Sequence, residues 1–358
     1  MSTLQISLAI AGGIVLAGIV AHSAWSSRKN TPRQADPEAP LTPSASSSDT
    51  GETSEQREPV FDAMSFDAEA LSGLSGLPSL PTADRRLGLD ALIDVIAPLA
   101  LEAPIYGEAA LTAMPATRRA GSKPFAIEGQ NTVTQRWESP LAGQRYSGFQ
   151  AGVQMANRTG ALNEIEYSEF VMKAQTFADA INAAPDFPEM LEAVAHAREL
   201  DQFASSHDAH LGFSLRALHA AWSPGYIQQC AARQGFVLGA IPGRMVLPAD
   251  IAGLPPVLNL VFDPQAALAQ DPAQSAVREI TLNLEVPHVD RSETPFVRLR
   301  EITQLLAEAM DGVVTDDNGQ PLQSEAMDQI GSELEQLYDA LDARDFSAGS
   351  GLARRLFS

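Results

Sequence analysis

The sequence predicts an α+β protein, with helices packed on one face of an antiparallel sheet. It predicts a second, related α+β unit ahead of that one and a transmembrane helix at the N-terminus. Three observations carry this. Ile280-Thr281-Leu282-Asn283-Leu284-Glu285-Val286 alternates apolar and polar side chains, the pattern of a strand with one face on a core. Long segments carry apolar residues at three- and four-residue spacing, the stripe of an amphipathic helix. The stretch from Leu4 to Trp25 holds no Asp, Glu, Lys or Arg, and a run of roughly 20 such residues is long enough to cross a bilayer.

Arg28, Lys29 and Arg33 follow that run. By the positive-inside tendency residues 1–3 lie outside, 4–25 span the membrane once, and the bulk of the chain is cytoplasmic. A cleaved leader is disfavoured, because the charges lie behind the apolar run rather than ahead of it. Residues 26–84 turn to Pro, Ala, Ser, Asp and Glu, as in SASSSDTGETSEQREP. Such a composition buries too little apolar surface to offset the entropy of ordering, so a disordered tether with an r.m.s. span of roughly 40 Å is expected.

Two folded units are expected behind the tether. In the first, residues 85–206, Ala91–Ile96, PFAIEG and YSGFQAGVQM read as strands and Gly107–Met114 as a short helix. Glu164–Ile181 is a helix with Phe170, Phe177 and Ile181 inward, and Pro188 opens another. In the second, residues 207–345, LGFSLRAL is a strand with Leu211, Phe213 and Leu215 on one face. Ser223-Pro224 opens a helix, and FVLGAI and PVLNLVF supply strands. The alternating run Ile280–Val286 follows and Pro287 ends it. Thr294 is placed as an N-cap with Pro295 at the first helical position, and Asn318-Gly319 signals a hairpin. Ser324 is placed as the cap of a last helix, and residues 346–358 are left as a C-terminal tail. The two units share an element order, as diverged copies of one module would, the first lacking the hairpin between its last two helices.

The whole chain has 358 residues, 45 of them acidic and 24 basic, for a formal charge of −21. That field repels nucleic acid unless a basic patch opposes it, and no basic stripe is visible: Arg85-Arg86, Arg118-Arg119 and Arg354-Arg355 are pairs. Cys230 is the single cysteine, so neither an internal disulfide nor a Cys-based zinc site can form. His207-Asp208-Ala209-His210 offers two imidazoles at helical i, i+3 spacing but no third ligand, and reads as a surface turn. Asp316-Asp317-Asn318-Gly319 lacks the register of a calcium loop. No nucleotide loop, nucleophile elbow or HExxH motif is present. The expectation is a protein that is not an enzyme, needs no cofactor or metal, and has no small-molecule substrate.

REITLNLEVP, the helix after it, GVVTDDNGQPL and the closing helix resemble the C-terminal FtsZ-binding domain family of ZipA in order and spacing. The resemblance covers about Ala209 to Leu341. It implies a split β-α-β fold whose free sheet face binds the C-terminal tail of FtsZ. It further implies a cell-division adaptor that tethers FtsZ filaments to the bacterial inner membrane at the division site and stabilises the ring. If Ile280, Leu282 and Leu284 face the helices, the open face carries Gly212, Ser214, Arg216, Thr281, Asn283 and Glu285, with Ile241, Val257 and Val261 as its apolar contacts. Several of those places are large and apolar in the family, so the face is expected to be more polar here. The alternative is a membrane-anchored scaffold that binds another division or envelope protein through residues 85–206.

Overall fold

Two antiparallel sheets, each backed by helices, make up the folded chain. The structure is a computed structural model that describes residues 32–35, 88–271, 275–316 and 319–358. The expected membrane span, residues 4–25, and most of the expected tether lie outside the described residues. Among the described residues no helix is long and apolar enough to cross a membrane.

The first unit opens with strand β1 (Asp94–Tyr106) and helix α1 (Gly107–Ala113). Strands β2 (Arg119–Ala120), β3 (Lys123–Asn131), β4 (Trp137–Glu138) and β5 (Arg145–Gln154) come next. The small hairpin β6 (Ala156–Asn157) and β7 (Gly160–Ala161) leads to helix α2 (Glu164–Ile181), strand β8 (Ala183–Pro185) and helix α3 (Met190–His207). β1 begins later than Ala91, because Asp90 holds that segment in a turn: its carbonyl accepts from Ile93 N and its carboxylate from Leu92 N. The helix expected from Pro188 begins at Met190, where the Glu189 side chain caps Glu192 N at 2.8 Å.

The second unit runs β9 (His210–Ala217), α4 (Pro224–Arg233), β10 (Val237–Leu238), β11 (Arg244–Leu247), β12 (Leu258–Val261), α5 (Pro264–Leu268), β13 (Glu279–Glu285), α6 (Pro295–Met310), β14 (Gly312–Thr315) and α7 (Ser324–Asp342). The short strand β11 was not expected; four residues flanked by Gly and Pro carry little periodic signal. Two caps differ from expectation. Thr294 sits in the left-handed region at φ 45° and makes no side-chain cap, so Pro295 alone marks the start of α6. Ser324 is already helical, after an uncapped Gln323.

Both sheets share a topology. The first is ordered β2-β3-β5-β1-β8 and the second β10-β11-β12-β13-β9-β14. In each, the strand that ends the meander pairs with the unit's first strand, which pairs in turn with a short strand following a long helix. Both of those helices end on a left-handed non-glycine residue, Asn182 at φ 53° and Asp311 at φ 55°, that turns the chain straight into the edge strand. The first unit therefore retains the strand after its long helix, Ala183–Pro185, where a loss was expected. Its helix α3 follows after only a few residues, so what it lacks is the excursion of residues 316–321.

Residues 346–358 form no loose tail. Helix α8 (Gly351–Leu356) and its flanks bury Phe346, Ala353, Leu356 and Phe357. The segment touches both units: Gln154 Nε2 donates to Arg355 O at 2.9 Å, Arg158 N to Ser358 O at 3.1 Å, and His288 Nε2 lies 2.9 Å from Phe357 O. The tether also has an ordered point. Arg33 N donates to Ala221 O and Ser223 N to Arg33 O at 2.9 Å, Pro32 is buried, and the Arg33 guanidinium stands 5.7 Å from the Tyr226 ring centre. Residues 32–35 thus lie on the second unit beside the fully buried Trp222.

The capping box of α2 supplies a pH test. Burial pushes the Glu166 carboxyl up, but hydrogen bonds from the Ser122 hydroxyl and amide and the Asn163 amide, with the Lys123 ammonium nearby, outweigh burial and hold it below its ordinary 4.5. A depressed carboxylate stabilises the fold above the unfolded value and loses that contribution as pH falls through the folded one. Glu166→Gln is expected to cost about 1–3 kcal/mol at neutral pH and to flatten the loss of stability below pH 4.5, measured by denaturant unfolding across an acid pH series.

Candidate sheet-face interface

The register of β13 against its neighbours decides which side chains reach solvent. Leu282 stands opposite Phe213 and Leu260, and Ile280 opposite Leu215. All five are at most 2 % exposed and form the core side, where the Phe213 and Phe296 rings meet edge to face at 6.3 Å. Successive strand residues point to opposite faces, so Thr281, Asn283 and Glu285 take the other side. All three are half-buried.

That face is organised in cross-strand rows. One row runs Arg244, Val261, Thr281, Ser214, Thr315 across five strands; the next runs Val237, Val246, Asn259, Asn283, Gly212. The β10–β12 side carries the apolar residues, with Val237 and Ile241 at least half exposed and Val246 and Val261 half-buried, interleaved with Arg244 and Asn259. The β9–β14 side is polar. Ser214 Oγ lies 3.5 Å from Thr281 Oγ1, and Arg216 Nε donates to Glu279 at 2.9 Å.

The turn after β14 closes over the polar end. Gly319 N donates to Asp316 O at 3.0 Å, and Gln320 N to the Asp316 carboxylate at 2.8 Å. At Gly319, φ is +78°, and a Cβ there would come within 2.4 Å of an Arg216 nitrogen. Glycine therefore serves both the left-handed turn and the close approach to Arg216. Asn318, the other half of the hairpin signal, lies outside the described residues.

Of the eight residues expected on this face, Ser214, Arg216, Val261, Thr281 and Asn283 are brought together on it. Ile241 joins at the β10–β11 turn. Val257 is a correction: it is 1 % exposed, just before β12, with its N–H given to Leu247 O at 2.8 Å, and its side chain belongs to the apolar core rather than to the open face. Glu285 lies at the far end of β13 and is engaged elsewhere, 3.0 Å from His288 Nδ1 and 3.3 Å from Arg158 of the first unit. Val237 and Val246 were missed as face residues. Their signal was the pairing of FVLGAI with RMVL, which only a recognised β11 makes visible.

Among the described residues no cluster of His, Cys, Asp and Glu is arranged to hold a metal. Asp208 and His210 instead surround the Arg158 guanidinium, with Asp208 Oδ2 at 2.8 Å from Nε. Cys230 is buried at 3 % exposure on the core side of α4.

Comparison with known families gives a match over residues 262–333 to the family described as ZipA, C-terminal FtsZ-binding domain. The matched stretch contains β13, α6, β14 and the first half of α7, the same elements whose spacing carries the resemblance read from the sequence. It therefore supports a ZipA-family relationship, and that family is one of binding domains rather than enzymes. No curated protein matches the chain.

The electrostatics of the face yield one expectation. The Arg216–Glu279 pair is nearly half exposed on both sides, and such pairs contribute about 0–1 kcal/mol. Arg216→Ala should leave thermal stability within that range, measured by calorimetry, whereas a charged residue at buried Leu282 should unfold the domain.

Proposed function

We propose that this chain binds the C-terminal tail of FtsZ on the open face of its second sheet and tethers FtsZ filaments to the cytoplasmic membrane, stabilising the division ring. The match of residues 262–333 to an FtsZ-binding domain is the observation that carries this reading. The rows around Val261, Thr281 and Asn283 support it, since they leave one face free of helices for an extended or helical peptide. The contact set is Ser214, Arg216, Val237, Ile241, Val246, Val261, Thr281 and Asn283. On this reading the first unit is a diverged copy of the same module, an inference supported by the shared strand order and the paired left-handed helix ends.

The apolar run of residues 4–25 serves as a single-pass anchor in the inner membrane, with the folded units on the cytoplasmic side. Pro32 then follows Trp25 after residues 26–31, a stretch that spans at most about 20 Å. Seating of residues 32–35 against Ala221–Ser223 would hold the second unit close to the bilayer. Many such copies facing many tails on one filament turn a modest single-site affinity into firm attachment.

A titration of the full chain in nanodiscs with a labelled FtsZ C-terminal peptide tests the tail reading. Binding in the micromolar range is expected, with Val261→Asp weakening it by about tenfold or more; no binding at high micromolar peptide would sink it. Energy transfer from a dye at Gln234→Cys to acceptor lipids tests the placement. Transfer should be efficient in the parent and fall when residues 32–35 are replaced by a Gly-Ser sequence.

A further inference from the structure

Arginines that are scattered along the sequence converge on one groove of the first unit. The groove has a volume of about 1120 Å³ and lies between β3, the loop after α1, the β4 region and α8. Its apolar wall includes Leu89, Met114, Phe125, Trp137 and Leu141. Trp137 is 43 % and Leu141 55 % exposed, large apolar surfaces that the unit's own core does not use.

Arg118, Arg136, Arg354 and Arg355 line the same groove, with three carboxylates, Asp94, Glu128 and Glu138. Each carboxylate is already engaged. Asp94 pairs with Arg355. Glu128 accepts from Leu89 N at 3.1 Å and Gln150 Nε2 at 2.9 Å. Glu138 accepts from Asn131 Nδ2 at 2.7 Å and the Tyr146 hydroxyl at 3.1 Å. Arg118, Arg136 and Arg354 have no carboxylate partner among the described residues. Hydrogen bonds from neutral donors leave Glu128 and Glu138 charged, so four guanidinium groups against three carboxylates give the groove a slight positive excess; in a chain of formal charge −21 that excess, with three unpaired guanidinium groups beside an exposed indole, makes a local site of opposite sign.

We infer that this groove binds a short acidic peptide segment of a partner protein, seating an apolar side chain against Trp137 and Leu141 and carboxylates on Arg118, Arg136 and Arg354. The volume lies just above the range of small-ligand sites, about 300–1000 Å³, and suits several residues of extended chain. Exposed Trp and Arg in a concave setting are the residue types that dominate binding energy at interfaces. Charge complementarity within the groove steers an acidic segment while the rest of the surface repels it, which confines docking to this place. A bilayer fits less well, since the apolar wall is recessed rather than convex. The inference is independent of the FtsZ reading, which concerns the other sheet.

Fluorescence anisotropy of the full chain in nanodiscs with three labelled peptides tests it. One peptide is acidic with aromatic anchors, one has its acids replaced by Lys, and one keeps its acids but has its anchors replaced by Ser. Only the first is expected to bind. Trp137→Ala and the charge reversals Arg136→Glu and Arg354→Glu should each weaken it by about tenfold, with binding of the FtsZ tail peptide unchanged. Equal binding of all three peptides, or affinity indifferent to the substitutions, would overturn it. So would attachment to anionic vesicles without peptide binding. Deleting residues 36–84 is expected to leave the affinity unchanged; a gain of tenfold or more would make the chain's own tether the occupant and overturn the partner reading.

Discussion

The pairing of β9 with β13 is the constraint on which the second unit depends. Seven consecutive residue pairs, from Glu279 opposite Arg216 to Glu285 opposite His210, run without a bulge. Because the side-chain period of a strand is two, a slip of one residue would send Leu282 and Leu284 to solvent and bring Thr281 and Asn283 into the core. Burying a Leu contributes about 1.5–3 kcal/mol, and each buried unpaired amide or hydroxyl would cost about 1–3 kcal/mol more. Several such terms summed over both strands exceed the whole stability of a typical domain. The register is therefore fixed by the core face, and the open face inherits its residues as a consequence.

That inheritance explains the split character of the interface. β13 and β9 present Thr281, Asn283, Gly212 and Ser214, while the flanking β10–β12 ribbon presents Val237, Val246 and Val261. A peptide lying across the sheet meets an apolar strip on one side and hydrogen-bonding groups on the other. Such a surface yields less burial energy than a wholly apolar groove and more orientation, because polar groups that lose water must find matched partners. Weak, oriented contacts suit a site that works in many copies at once.

Much of this was legible from local signals, and what was not had a physical reason. The helix Glu164–Ile181 was read to the residue from the stripe of Phe170, Phe177 and Ile181, and the structure adds the capping box of Asn163 and Glu166 that fixes its start. The alternation at Ile280–Glu285 identified both faces of β13. Val257 was misplaced because strand alternation alone does not show which end of an apolar run is covered by the core. Residues 346–358 carry too short a pattern to announce a helix; their fold comes from tertiary burial of Phe346 and Phe357 against both units. The groove of the first unit was invisible for a deeper reason. Arg118, Arg136 and Arg354 are distant in sequence, and only the return of the C-terminus brings the last beside the others.

That return also links the two units physically. Asp94 at the start of β1 is buried and would be driven toward its neutral form by burial alone, against the pull of the Arg355 guanidinium from α8. The pair ties the first strand of the first unit to the last helix of the chain, while His288 and Phe357 tie the same helix to the end of β13. A buried ion pair of this kind gives little net stability, since desolvation offsets most of the attraction, but breaking it leaves an uncompensated charge. Its consequence is positional. With the C-terminal turn of α8 tied to both units, Arg354 is held on the lining of the first unit's groove. A filament tail on one unit and an acidic segment on the other would then sit on units joined by direct contacts through the C-terminal segment as well as by the chain.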